Sequence, residues 1–233
     1  MSTQPRTTVQ VFDASAELDR QLGTLLALGY PALAGLSARA FTGLIESLRA
    51  PLVARQGQMS ASGPDRAPFV VVVGKRLAPA ERSVPLLGRD GLPGFISADL
   101  ADIARFEPIA AVQLPGSEVY ALLEVERGDE YLNWTPDEAF SAISTRARSV
   151  MTYDEGVALL TQFPQLLAAN RCFMLGASRC GDRRVPALWI SGGTGKDGRE
   201  RRGAPKLGWC WAGNRHTWLG HASCAGRIGA APT

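Results

Sequence analysis

Phe69-Val70-Val71-Val72-Val73 is an unbroken apolar run in which four β-branched residues follow one another. No polar residue alternates with them, so the segment reads as a strand buried on both faces. Each face then needs a cover, and the chain before it offers helices. Asp13 stands where it can cap a helix running to about Leu28, with Leu18, Leu22, Leu25 and Leu26 on one side. Gly29-Tyr30-Pro31 breaks that helix. Ser37 can cap a second helix, striped by Phe41, Leu44, Ile45 and Leu48 and ended or kinked at Pro51. Residues 1–10 are polar and read as a disordered N-terminus. Residues 57–68 read as a surface loop.

Beyond the valine run, Leu86 to Phe95 holds three glycines and a proline and reads as a structured loop. Val119–Val125 is a second strand candidate, Val185–Ile190 a third and Leu207–Trp211 a fourth. Two helix starts lie between them. Thr135-Pro-Asp-Glu138 and Thr152-Tyr-Asp-Glu155 both carry the capping-box spacing, which reads as a local folding signal. Helices first, then strands mixed with helices, give an α+β fold. The expectation is one domain over residues 11–233, with N-terminal helices packed on a small mixed or antiparallel sheet. Residues 191–206, rich in Gly and Arg, form a mobile basic loop in this reading.

Composition sets the outer limits. The 233 residues are 45% hydrophobic and 20% charged, as in a globular protein with a substantial core. No run approaches the roughly 20 apolar residues of a membrane helix, and the start of the chain lacks the basic-then-apolar pattern of a secretory signal. The expected location is cytoplasmic, and the four cysteines are expected to be reduced thiols.

Charge is unevenly spread. Residues 171–233 carry 11 Lys and Arg against 3 Asp and Glu, although the net charge of the whole chain is only +3. The same stretch holds all four cysteines, both histidines and four of the five tryptophans. Within it, Gly192-Gly-Thr-Gly-Lys196 is not a phosphate loop: Ile190 stands where the first glycine is needed, and Asp197 where Ser or Thr should follow the lysine. Cys210, His216, His221 and Cys224 lack the tight cysteine pairs of a structural zinc site. No metal and no organic cofactor is called for. The basic run Lys196, Arg199, Arg201, Arg202 and Lys206 lies near tryptophans, but no recognition helix or aromatic RNA-binding motif accompanies it.

Two polar clusters remain. Arg179, Arg183 and Arg184 offer forked donors suited to sulfate, phosphate or carboxylate, and Asp182 among them can orient an arginine or act as a base. Asn214, Arg215 and His216 follow a tryptophan-rich strand at a turn, where His216 can exchange a proton near neutral pH. Trp209 and Trp211 point to one face if their segment is a strand. Together these residues read as one site, with His216 and Asp182 handling protons and Arg179, Arg183, Arg184, Asn214, Arg215, Trp209 and Trp211 binding substrate.

Arg183–Ser191, Leu207–Gly220 and Ala222–Arg227, with Asn133–Asp137 and Thr152–Gly156, resemble a bacterial family of unknown function. In the chemistry these residues could support, the chain is also similar to the aziridine-forming enzymes of azinomycin and vazabitide biosynthesis. That likeness implies ring closure by an amine displacing a neighbouring sulfate, on an anionic substrate linked to a carrier protein, with a second protein subunit taking part. No functional residue of those enzymes aligns with this chain, so none is carried over. The reading is therefore a cofactor-independent biosynthetic enzyme. Its rivals are a noncatalytic small-molecule or partner-binding protein and a nucleic-acid-associated protein.

Overall fold

A computed structural model describes residues 12–230 of the chain. The N-terminal segment read as disordered lies outside the described residues. The valine run forms the core of strand Arg66–Val73, in which every residue but the first is buried. Val70 and Val72 face one core, while Phe69, Val71 and Val73 face another. The second core is built by the helices Ala14–Ala27 and Ala38–Glu46, capped by the Asp13 and Ser37 side chains. Pro51 does not end the second helix. The break falls at Ser47–Leu48, and Pro51 sits inside a short helix, Arg49–Val53, that follows.

Strand Arg66–Val73 is the edge of its sheet and needs partners for its free backbone groups. Gln21, wholly buried on the first helix, supplies them. Its Nε2 donates to the Phe69 carbonyl at 2.9 Å, and its Oε1 accepts from the Val71 N–H at 2.8 Å.

The first sheet is antiparallel. Arg66–Val73 pairs with Val119–Glu126, whose other side takes Ser223–Cys224 and Gly226–Gly229, and Ser149–Val150 completes it. A second, mixed sheet runs Leu219–His221, Cys172–Met174, Arg184–Ile190, Pro205–Trp211, Phe95–Ile96. The sequence suggested one sheet, whereas the described residues form two five-stranded sheets and two two-stranded ones, Gly88–Arg89 with Leu92–Pro93 and Glu107–Pro108 with Ser178–Arg179. The reason for the two larger sheets is helix Tyr153–Gln162, in which Asp154 is the only residue not buried. Its apolar side chains share one core with Val70, Val72 and Leu122 of the first sheet and with Val185, Leu188 and Leu207 of the second. A helix apolar all round must be enclosed, and two sheets enclose it. Gly156 permits the approach: a Cβ there would lie 2.4 Å from Leu175 Cδ2.

The segment 191–204 folds back through two short 3₁₀ turns. It is anchored by buried Asp197, which accepts from Lys206 Nζ at 2.8 and 2.9 Å and pairs with Ser191 Oγ at 3.2 Å. Among the described residues no helix is long and apolar enough to cross a membrane.

Candidate functional site

The arginine-rich end of the second sheet is the first place to look. Strands Arg184–Ile190 and Pro205–Trp211 are antiparallel neighbours, with Arg184 opposite Trp211. The turn carrying Asn214, Arg215 and His216 therefore starts beside Arg183, whose carbonyl accepts from the Ala212 N–H. Trp209 and Trp211 lie on one face in an edge-to-face pair with centroids 4.6 Å apart.

The charges there are mostly committed. Arg184 makes a forked pair with Asp102 at 2.7 and 2.8 Å, bonds Asp182 at 2.8 Å, and lies over the rings of Phe106 and Trp209. Asp182 also accepts from the Arg184 backbone N–H. That bond and the guanidinium hold its carboxyl below the usual range, which makes it a weak base. Arg179 donates to the carbonyls of Gly176 and Ser178. Arg215 donates to the Asn133 carbonyl and to Glu138, the capping-box residue of helix Pro136–Thr145. Asn214 is exposed. Arg183 is exposed too and makes no ion pair among the described residues. His216 stands against Trp218, its Nε2 buried without a partner, and burial lowers its pKa and favours the neutral ring. The other histidine, His221, is held near 4 by burial, with Nε2 3.3 Å from the Trp134 carbonyl.

All four cysteines are free thiols, with Cys172 and Cys224 buried. Among the described residues no group of three or more His, Cys, Asp or Glu is placed to hold a metal.

A different site lies at the N-terminus of the enclosed helix. Gly74, Lys75 and Arg76 leave strand Arg66–Val73, and Ser117 and Glu118 lead into its antiparallel neighbour, so both arrive at one end of the first sheet. Glu107 and Pro108 close the third side. Together with Asp154 they line a cleft of about 280 Å³. Lys75 is paired with Glu107 at 2.7 Å, and Arg76 with Glu118. Asp154 is left over. The residue as a whole is half-buried, but its Oδ1 is sealed from solvent and has no hydrogen-bond partner. It also borders a second void of about 10 Å³, near the minimum for one water, beside Tyr30, Ser83 and Tyr153.

Burial first, and then the neighbouring charge of Glu155, push the Asp154 carboxyl up to about 7 against the opposing pull of Lys75. Glu155 is its opposite in every respect. It is wholly buried and fully partnered, by the Thr152 N–H at 2.8 Å, Arg227 Nη2 at 2.8 Å and the Tyr120 hydroxyl at 3.0 Å. The fold neutralises one carboxylate of the turn and leaves the one before it facing a cleft. A carboxyl that titrates near neutrality at a concave surface has the properties of a general base or acid.

Asp154 and Lys75 were not among the residues singled out from the sequence. The capping box in Thr152–Glu155 accounted for the glutamate and drew attention from the aspartate beside it. The signal was present in the helix that follows, which is apolar on all sides from Val157 to Leu160. Acidic residues in the first turn of such a helix are carried inward with it.

The architecture is thus an α+β domain with a helix sealed between two five-stranded sheets and a cleft bearing Asp154 at that helix's N-terminus. Residues 24–230 match a family of unknown function (DUF5701), and the chain belongs to that family. No curated protein and no solved structure matches it.

Proposed function

We propose that the protein is a cofactor-independent enzyme acting on a small molecule in the Asp154 cleft, with Asp154 taking or giving the proton. The observation that supports this most is the unpartnered Oδ1 of Asp154, closed off from water in a molecule that pairs its neighbouring charges so thoroughly. An unpaired buried carboxyl costs stability, and such costs are typical of sites that act on a ligand.

An amine-bearing substrate suits the cleft. Its ammonium would pair with the Asp154 carboxyl from the cleft, and proton transfer to the carboxylate would leave a nucleophilic nitrogen. Aziridine closure belongs to this class. Once Asp154 holds the ammonium proton, the amine nitrogen bonds to the adjacent carbon as the bond from that carbon to sulfate oxygen breaks, which gives sulfate and a protonated aziridine that loses its remaining proton to solvent. Lys75 and Arg76, on the same cleft, would receive the departing anion by giving up their pairs with Glu107 and Glu118. A substrate delivered on a carrier protein, and a second protein in the assembly, are parts of the same proposal.

The test is a mass-spectrometric screen of cell-extract metabolites and of amino-sulfate ester substrates, with the wild type and Asp154→Asn. Conversion by the wild type alone, with both proteins folded, supports the reading. Capture of a ligand without product would instead make the protein a binding protein.

A further inference from the structure

A second and larger cavity, of about 610 Å³, opens on the other sheet and shares no residue with the Asp154 cleft. Ligand pockets commonly fall in this size range. Trp189, Trp218, Ile190, Asn170, Gly192 and Arg202 are among the residues that line it.

Three features set its chemistry. The two indoles meet edge to face with centroids 6.2 Å apart. Trp189 is held in place from below, since a Cβ on Gly208 would lie 2.2 Å from its Cη2. Lys206 lies 5.0 Å over the same ring but is committed to Asp197. A stiff aromatic wall of this kind favours a flat ring, either stacked or edge-on.

The donors on the wall are free. Trp209 satisfies its indole N–H with the Asp99 carbonyl at 2.8 Å, whereas the indole N–H groups of Trp189 and Trp218 have no acceptor among the described residues. Arg202 is exposed and makes no ion pair among the described residues, unlike Lys196 and Lys206 of the same segment. No carboxylate lines the cavity. Its one charge is therefore an uncommitted cation.

We infer that the Trp189–Trp218 cavity binds a flat aromatic molecule carrying one anionic group, with the ring against the indoles and the anion on Arg202. The glycine-rich segment that fails as a phosphate loop contributes here only by bringing Gly192 and Arg202 to the cavity. A carboxylate or a phosphate could supply the anion, and the two sources are separable by experiment.

Calorimetric titration of the full chain would use two matched pairs: 2-naphthoate with 2-naphthamide, and adenosine monophosphate with adenosine. The expected result is saturable binding of at least one anion, about tenfold tighter than its neutral partner. That margin should vanish in Arg202→Gln and persist in Arg199→Gln. Trp218→Phe keeps an aromatic surface but removes the N–H donor, and should weaken binding while leaving the thermal midpoint close to wild type. If neither anion saturates in the millimolar range, if neutral partners bind as well, or if Arg202→Gln binds like wild type, the inference is wrong. Binding here is independent of Asp154, so Asp154→Asn should titrate as the wild type does.

Discussion

The arginine-rich end of the second sheet and the first turn of the enclosed helix both concentrate charge, and they spend it differently. At the sheet end, Arg184 is shared between Asp102 and Asp182, and Arg215 is tied to Glu138. At the helix turn, Glu155 is matched with Arg227 while Asp154, the residue before it, has no partner for Oδ1. Charge density by itself therefore marks scaffolding as readily as function. Each region leaves one buried polar atom unpartnered, His216 Nε2 at the sheet end and Asp154 Oδ1 at the helix turn. What separates them is that burial keeps the histidine neutral, whereas the aspartate is pushed to about 7 beside a cleft.

The comparison is broken most severely at Glu155. Glu155→Ala strands the Arg227 guanidinium in the interior, and breaking a buried pair from one side costs about 3–5 kcal/mol. Urea denaturation at pH 7 should show that loss.

Asp154→Asn should act in the other direction. The folded carboxyl titrates near 7, above the ordinary value for an aspartate in the unfolded chain, so the native state is penalised as pH rises. The wild type keeps its full stability below about pH 4 and loses this contribution as pH climbs through 7. Asp154→Asn should therefore match the wild type at pH 4 and exceed it by about 4 kcal/mol at pH 8, since the displacement is about three units and each is worth about 1.4 kcal/mol. It should also abolish turnover. Equal gains at both pH values would show that the carboxyl is not buried in its charged form.

Arg184→Ala sharpens the contrast from the other region. It removes several charge-assisted bonds and the packing over Trp209, at a cost of about 1–2 kcal/mol. Turnover per folded molecule should not change. Arg215→Gln is expected to leave the thermal midpoint almost unmoved, because its pair is exposed. Loss of ligand affinity in Arg215→Gln or Arg183→Ala at unchanged stability would restore the sheet end as the site.

How much of this could be read from the sequence follows from the range of each interaction. The doubly buried strand, both capping boxes and the Trp209–Trp211 face are set by residues adjacent in the chain, and each was legible. Strands of two to four residues such as Ser223–Cys224 and Gly226–Gly229 were not, because distant partners define them. The arginines looked available for the same reason. Asp102, which occupies Arg184, lies 82 residues away, and Glu138, which occupies Arg215, lies 77 away. Asp154 was hidden in the opposite way, by a local signal that explained its neighbour.

Asp154 carries a buried, unpartnered carboxyl oxygen and is held near neutrality. Its side-chain carboxyl ¹³C resonance, assigned by comparison with Asp154→Asn, reports this directly when followed from pH 4 to 9. A midpoint near 7 is the predicted result. A midpoint near 4, where ordinary aspartates titrate, would contradict the account and leave the cleft without its base.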